Sequence, residues 1–239
     1  AGWPTEWLET ESETMPYHPR FSITARLLRL IETISAYREK ILGATIQVPW
    51  IPALRREARI RNTHSSTAIE GNPLTLEEVR DLEEGREVLD ASERSRKEIL
   101  NCLAGLRFIE KRASQKTVTT KDLLKLHTLM ATGVMDQGHP GSYRTIGVRG
   151  GSYFPPPAAD VSRLITDLLK WWNEESSQWS PVVSSAILHY RFEEIHPFAD
   201  GNGRVGRGLA LWELYRRGFD THHIFSVDEV YWEDRPRYY

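Results

Sequence analysis

The sequence has little of what defines several protein classes. Cys102 is the one cysteine among 239 residues, so no disulfide can form within the chain and folding does not need an oxidising compartment. It has no run of the roughly 18 to 20 apolar residues that a membrane-spanning helix needs, and no signal-peptide pattern at its start. With 31 Lys and Arg against 33 Asp and Glu, it also lacks the broad basic field of a nucleic-acid or membrane-surface binder. A cytoplasmic protein is the simplest interpretation, although an exported mature form stays open.

What the chain does contain is ample material for a packed core. It is 40% hydrophobic and has eight Trp, nine Tyr and seven Phe, which suits one large domain or two closely joined ones. No basic face and no base-reading motif is present, so a DNA-binding regulator is not expected.

Most of the chain has helical periodicity, with apolar residues at three- and four-residue steps. Residues 23–34 carry a first apolar stripe, and a second helix is predicted over 53–69 because Gly71 follows as a stop signal. Thr75 and Glu78 have the capping-box spacing that opens a third helix, and residues 99–109 carry a stripe on the next. The sequence therefore predicts an all-α body, and we expect these helices to lie in its core.

One segment departs from this pattern. Residues 143–148 and 152–154 flank Gly150 and Gly151, which predicts a β-hairpin ended by three prolines. A lone hairpin is marginally stable in water, so it must lean on a helix or cover something. On this pattern alone, a surface ornament and a cover for a site are both open.

A second departure interrupts two apolar helices after Ile195. Pro197 prevents the first helix from continuing, and Gly201 and Gly203 on either side of Asn202 allow backbone angles that other residues resist. Such a turn can direct successive N–H groups into one concavity at the N-terminus of the following helix, which is a favourable anion site.

The charged residues in and after this turn indicate a phosphate ligand. Arg204 and Arg207 lie on the first turn of the second helix, where positive charge opposes the helix dipole by a few tenths to about 1 kcal/mol each. Two guanidinium groups there suit a polyphosphate. Asp200 could then share Mg²⁺ with phosphate oxygens, and His196 could accept a proton from a nucleophile, although a purely structural histidine is the alternative. The string is neither a Walker A loop nor a dinucleotide fingerprint, and no zinc-site spacing is present.

Residues 196–207 resemble the motif of the Fic family, His-Pro-Phe-x-Asp/Glu-Gly-Asn-Gly-Arg-x-x-Arg, at every defined position. The resemblance implies a helical Fic fold with a small β-hairpin flap, and transfer of AMP from ATP to a Ser, Thr or Tyr hydroxyl of a target protein. By this resemblance His196 is the general base, Asp200 holds Mg²⁺, residues 201–203 cradle the α- and β-phosphates, and Arg207 meets the γ-phosphate. The full predicted ATP site is Gly201, Asn202, Gly203, Arg204, Val205, Gly206, Arg207 and Asp234.

The resemblance also gives roles to two other features. The segment 143–154 is similar to the family's flap, which docks the target as an added strand. Gly203 disfavours a phosphotransferase, because relatives that transfer phosphate carry Lys at that position. The partner is therefore expected to be a protein with an exposed hydroxyl side chain; a homodimer is left open.

The C-terminal stretch 225–239 resembles the family helix that closes over adenine. Asp234 stands where many relatives have Asn and is the best candidate for an adenine contact. Relatives usually continue beyond the position of Tyr239, and we expect the native chain to do so. The predicted domains are an N-terminal helical extension over 1–52 and a Fic catalytic domain over 53–239, which includes an inhibitory helix over 53–70.

This inhibitory helix carries a second signature. Ser66 to Gly71 matches Ser/Thr-x-x-x-Glu-Gly/Asn, and Glu70 lies at the negative end of its predicted helix, where a carboxylate needs a cation. The resemblance implies that Glu70 pairs with Arg207 and obstructs γ-phosphate placement, with Ser66 bracing the helix end. A solvated surface glutamate is the plainer alternative. In some relatives this glutamate positions a water that removes AMP, so a de-AMPylating hydrolase stays open, as does a non-catalytic nucleotide-sensing module.

Overall fold

The fold is seen in a computed structural model that describes residues 17–44, 48–149, 153–220 and 222–239. Apart from one β-bridge residue, Tyr153, the described residues contain no strand, so the predicted all-α class is confirmed. The helices are α1 Ala25–Gly43, α2 Ile51–Ile69, α3 Leu76–Glu83, α4 Glu93–Arg112, α5 Thr120–Ala131, α6 Val161–Glu174, α7 Pro181–Ile195, α8 Asn202–Arg216, α9 Val227–Glu233 and α10 Arg235–Tyr238. Short 3-10 helices cover Val48–Trp50, Ala158–Asp160 and Ser176–Gln178.

Two hydrophobic clusters organise these helices. The larger one joins α4, α5, α6, α7 and α8, with Trp172 and Trp212 packed edge to face at 5.9 Å at its centre. The smaller one joins α2, α3 and α4 through residues such as Ile60, Val79 and Leu103. The α7–α8 pair therefore lies deep in the protein, within the larger cluster, and α2 packs in the smaller cluster beside it.

The capping signals in the sequence operate as expected. Thr75 and Glu78 form the predicted capping box at α3. The sequence also predicts a helix that starts at Thr120, where α5 does start, and Thr119 caps this helix in a second capping box with Asp122. The predicted apolar stripe of α4 is buried from Ile99 to Ile109. Local hydrogen bonding at helix ends satisfies N–H groups that the helix itself cannot, which makes such starts readable from sequence.

Two predictions about buried faces are wrong. Helix α1 was expected in the core, but it contains no buried residue, and Leu28 and Leu30 are each 50% exposed. Its described polar contacts with the body come from Arg38, which donates to the carbonyls of Gly218 and Phe219. The spacing of Val183, Ala186, Ile187 and Tyr190 predicts one apolar face on α7, but Tyr190 is 71% exposed. An apolar stripe shows that a helix could be buried, whereas burial itself needs a partner surface.

The predicted hairpin is not seen. Residues 143–149 form no strand, and residues 150–152 lie outside the described part of the chain. The buried side chain of Arg144 holds this segment instead: its Nε donates to the His196 carbonyl at 2.8 Å, and its Nη2 donates to the Pro156 carbonyl at 2.5 Å. The Arg144 N–H also donates to the Pro197 carbonyl at 2.9 Å. Arg144 thus fixes the described residues of this segment to the α7–α8 turn.

Within the described residues, no helix has the length and apolar character needed to span a bilayer. Of the predicted N-terminal extension, residues 1–16 and 45–47 lie outside the described part, and the predicted boundary at residue 52 falls at the start of α2.

Candidate active site

The turn between α7 and α8 is shaped by two left-handed residues. His196 ends α7 with φ 49° and ψ 61°, and Gly201 precedes α8 with φ 80°. Gly201 supplies no side-chain cap, so the first N–H groups of α8 have neither a capping side chain there nor an acceptor within the helix. At this turn, the positive end of the dipole of α8, a buried helix of 15 residues, is therefore available to an anion.

The turn is held in shape by side chains beneath it. Asn202 accepts from the Phe198 N–H at 2.9 Å and donates back to the Phe198 carbonyl at 2.8 Å. The buried Phe198 ring stacks on His127, with ring centres 3.6 Å apart. The Asn202 side chain, which the sequence predicts for the ATP site, thus uses its hydrogen bonds to hold the turn in shape.

His127 on α5 connects the turn to the segment before the prolines. Its Nδ1 accepts from the Gly141 N–H at 2.9 Å, so Nε2 carries the proton and donates to the Asp200 carbonyl at 3.0 Å. Burial lowers the pKa of His127 to about 4, which keeps the ring neutral. Sequence reasoning missed this residue, and the available signal was a histidine on the apolar face formed by Leu123, Leu126 and Met130.

A cavity of about 560 Å³ opens beside the turn. Its lining combines the turn with the end of α2, the start of α4 and the segment after α5: Glu70, Arg94, Glu98, Asp136, Gln137, Gly147, Val148, Arg149, Ala199, Asp200 and Arg204. Predicted residues from two distant parts of the sequence therefore meet at one space.

Arg204 is the least satisfied charge at this cavity. Its side chain is 5% exposed, and its Nε and Nη1 atoms have no hydrogen-bond partner among the described residues. Its Nη2 atom lies 3.8 Å from Asp200 Oδ1, which is beyond hydrogen-bond distance. A buried guanidinium with idle donors is costly unless a ligand supplies acceptors.

The Asp200 carboxylate lies at the same cavity and keeps a third of its surface exposed. The described residues gather no cluster of three His, Cys, Asp or Glu side chains that could hold a metal ion. One carboxylate fits Mg²⁺, which commonly takes one or two protein carboxylates and completes its shell with phosphate oxygens and water.

His196 lies at the other side of the turn. Its Nδ1 atom is 3.7 Å from Oε2 of Glu193, one helical turn earlier, and its side chain is 27% exposed. Burial lowers the pKa of His196 below its usual value; a hydrogen bond with the Glu193 backbone and the charge of Glu70 oppose this shift, and the charge of Arg144 adds to it. The imidazole is therefore neutral at neutral pH, as a proton acceptor must be.

Arg207, by contrast, has a full set of partners. The guanidinium is 1% exposed; it donates to Glu70 Oε1 at 2.7 Å and to the Ser66 hydroxyl and carbonyl at 2.8 and 2.9 Å. A Cβ on Gly203 would lie 2.2 Å from Glu70 Oε1, so this carboxylate rests directly on the first turn of α8. The end of α2 thus occupies space next to the helix N-terminus.

Three predicted ATP-site residues lie elsewhere. The Val205 side chain is fully buried in the larger core cluster, and Gly206 packs against Glu193. Asp234 is exposed at the junction of α9 and α10, where its backbone N–H caps α9.

Two unpredicted residues reach Arg207 from the C-terminal helices. The Tyr238 hydroxyl accepts from Arg207 Nη1 at 3.2 Å and lies 3.0 Å from His189 Nε2. Asp228 Oδ2 lies 3.9 Å from Arg207 Nε and is almost fully buried. Neither has a local sequence signal, because α9 and α10 are short and reach α8 only through the tertiary fold.

Comparison with known proteins identifies the family to which this chain belongs. A model of the Fic/DOC family matches residues 117–214, a range that includes the whole turn. The crystal structure of a Fic family protein from Desulfovibrio desulfuricans superposes with a TM-score of 0.81 at 36% sequence identity, over 93% of this chain and 67% of that one. The chain belongs to the Fic family.

Other relatives of this Fic chain agree. The protein adenylyltransferase Fic of Drosophila melanogaster is 32% identical over 80% of the chain, and a Fic domain containing signalling protein from Bacteroides thetaiotaomicron superposes with a TM-score of 0.70 at 26% identity, over 79% of this chain and 73% of that one. The chain spans about two fifths of the length of the curated relatives it matches, 39% in the Drosophila protein.

Proposed function

We propose that this Fic chain is a protein adenylyltransferase, which transfers AMP from ATP to the hydroxyl of a Ser, Thr or Tyr side chain on a target protein. The observation that carries the proposal is the buried Arg204, whose idle donors lie beside Asp200 and the N-terminus of α8 at one cavity. Relatives named protein adenylyltransferase Fic, from Drosophila sechellia and Drosophila melanogaster, support the same reaction.

The anion cradle accounts for nucleotide binding. The N–H groups at residues 202 and 203, the positive end of α8 and the Arg204 guanidinium all favour phosphate oxygens. Mg²⁺ at Asp200 would neutralise charge that develops on the phosphates. Arg207 would bind the γ-phosphate once its present carboxylate partner moves away.

The residues of the turn then serve a direct displacement. The target hydroxyl oxygen forms a bond to the α-phosphorus, the bond from that phosphorus to the β-bridging oxygen breaks, and pyrophosphate leaves. The hydroxyl proton passes to Nε2 of neutral His196, since Nδ1 faces Glu193. The loop provides positioning and charge stabilisation rather than covalent catalysis.

Glu70 acts as a brake in this proposal. Its carboxylate holds Arg207 and covers Gly203, so a triphosphate cannot place its γ-phosphate on Arg207 while Glu70 stays. Ser66 braces the pair because its hydroxyl and carbonyl both accept from the same guanidinium. We assign this role to the helix 53–70 within a catalytic domain over 53–239.

The first test concerns the brake. Glu70→Gly should raise incorporation of labelled AMP at least tenfold, which corresponds to about 1.4 kcal/mol of lost obstruction. Glu84→Gly is a matched control, because Glu84 also ends a helix, with φ −89° against −83° for Glu70, and pairs with an arginine. Labelling that is unchanged in Glu70→Gly, or equally raised in both variants, contradicts the brake.

The second test concerns the base. In the Glu70→Gly background, His196→Ala should reduce AMP transfer by about 100-fold or more, since a general base contributes that much. His139→Ala, at an exposed histidine, should leave transfer unchanged. Intact transfer without His196 rules out this mechanism, and nucleotide binding without any transfer in the parent favours a nucleotide-sensing module.

Removal of AMP is the second candidate activity. Glu70 lines the same cavity as Asp200 and keeps 38% of its side chain exposed, so it could position a water there. Incubating an AMPylated target with the unaltered chain tests this directly: release of AMP that Glu70→Gly abolishes supports hydrolysis.

A further inference from the structure

Glu193 lies at a place that the proposed reaction does not yet use. It sits one turn before His196 on α7, and its Oε2 is the carboxylate oxygen 3.7 Å from His196 Nδ1. Its other oxygen, Oε1, is buried and has no hydrogen-bond partner in the described part of the chain. The Glu193 carboxyl group thus lies beside the imidazole, and its Oε1 atom makes no hydrogen bond to another described residue.

The neighbouring helix makes room for this carboxyl group. A Cβ on Gly206 of α8 would lie 2.1 Å from Glu193 Oε1, so only glycine leaves the space that the carboxyl group occupies. Gly206 falls at a position that the Fic motif leaves undefined. The glycine and the glutamate therefore form a matched pair across α7 and α8.

We propose that Glu193 is a positioning residue for the transfer reaction: its carboxylate stabilises the His196 imidazolium that forms when the target hydroxyl loses its proton. The inference rests on the proposed function for the identity of the reaction. The proton moves from the hydroxyl to His196 Nε2, and an ionised Glu193 keeps its charge throughout the step.

The protonation state of Glu193 then controls the strength of the base. Burial raises the pKa of Glu193 to about 7, an effect that Arg207 opposes and Glu70 reinforces. Below pH 7 the carboxyl group is neutral and offers His196 little; above pH 7 it is charged and favours protonation of the ring. The charged and titratable groups facing the pair are His189 on α7, Arg207 on α8, Glu70 on α2, Tyr238 on α10 and Arg144 in the segment before α6.

A titration of the His196 ring by NMR tests the pair without any reaction. In the unaltered chain, the ring signal should follow two steps, the upper one near pH 7 where Glu193 ionises. Glu193→Gln, which has the shape of the protonated acid, should leave one step at lower pH. Glu194→Gln is the matched control, because Glu194 is the next residue and its carboxylate pairs with Arg191 at 2.7 Å. An identical His196 titration in Glu193→Gln and the unaltered chain overturns the inference.

The kinetic test uses the Glu70→Gly background. Glu193→Gln should reduce AMP transfer about tenfold at pH 8 and little at pH 6, where the native acid is itself protonated. Glu194→Gln should keep the parent profile. An equal loss at every pH indicates a structural role and overturns the inference.

A second variant approaches the pair from α8. Gly206→Ala should displace the Glu193 carboxyl group and reproduce the pH-dependent loss, although alanine favours the helix more than glycine does. An unchanged pH profile in this variant also contradicts the inference. If none of the parent chains transfers AMP, the proposed function fails, whereas the Glu193–His196 pair is still decided by the titration.

Discussion

Arg204 on the first turn of α8 and Arg207 on the second turn lie in opposite environments. Arg207 donates to Glu70, Ser66 and Tyr238, and Asp228 faces it at 3.9 Å. Arg204, three residues earlier and equally buried, leaves Nε and Nη1 without a partner among the described residues. One end of the anion cradle is filled by protein groups, and the other end is open to a ligand.

Arg207 therefore has a carboxylate partner within the protein, whereas two nitrogens of Arg204 have no partner among the described residues. A buried charge needs compensation, and at Arg207 the chain supplies it from α2, α9 and α10. At Arg204 the nearest carboxylate, Asp200, is too distant for a hydrogen bond. In the proposed function, nucleotide binding would complete Arg204 and would have to compete with Glu70 at Arg207, so the proposed brake acts at the second arginine.

The largest effect should come from removing the Arg207 guanidinium. Arg207→Met leaves the carboxylates of Glu70 and Asp228 without their shared cation, and should lower the free energy of unfolding by about 3 kcal/mol. Urea denaturation measures it. Arg163→Met, at an exposed residue whose ion pairs in the described part of the chain are with Asp160 and Asp167, should change little. Equal stability of Arg207→Met and the unaltered chain would remove the contrast between the two arginines.

A smaller effect tests whether Arg207 faces more acid than one cation can balance. Burial raises the pKa of Asp228 to about 6 from 3.8, although Arg207 opposes the shift. The folded state therefore binds this proton more tightly than the unfolded state, so its contribution to stability is present below pH 4 and is lost as the pH rises to 6.

Asp228→Asn should remove this part of the pH dependence, by about 2 kcal/mol between pH 4 and 6. The free energy of unfolding is measured at each pH for both proteins. Glu233→Gln on the same helix is exposed and should keep the original profile. A profile that Asp228→Asn leaves unaltered contradicts the acidic surplus.

The smallest effect has the opposite sign. Arg204→Met removes idle buried donors and should raise the free energy of unfolding by about 1 kcal/mol. The same change should abolish the rise in melting temperature that ATP and Mg²⁺ cause in the Glu70→Gly background. A loss of stability in Arg204→Met, with ATP protection intact, breaks the comparison from its open end.

Much of the fold could be predicted because its signals are local. The capping box at Thr75 and the stripe from Ile99 to Ile109 depend on residues three or four positions apart, which a helix brings together by itself. The exposed α1 and Tyr190 could not be predicted in this way, since burial depends on what another part of the chain presents.

The hairpin shows the limit most clearly. Glycines between two short apolar runs predict paired strands, but residues 143–149 form no strand, and Arg144 donates to the Pro156 carbonyl and to the His196 carbonyl in the turn after α7. No pattern near residue 144 announces that its side chain is buried. The candidate site divides similarly, because its dense motif is local while His127 and Tyr238 join it only through packing.

The amino-acid sequence by itself determined the helical character of the chain and the turn of proline, glycines, histidine and arginines between two apolar helices, because backbone angles and helix periodicity act over a few residues. Only the tertiary structure decided that the hydrogen-bond donors of Arg207 have partners and that two nitrogens of Arg204 have none among the described residues. That distinction depends on carboxylates and hydroxyls from α2, α9 and α10, which lie far from α8 along the chain and reach it only when the core has formed.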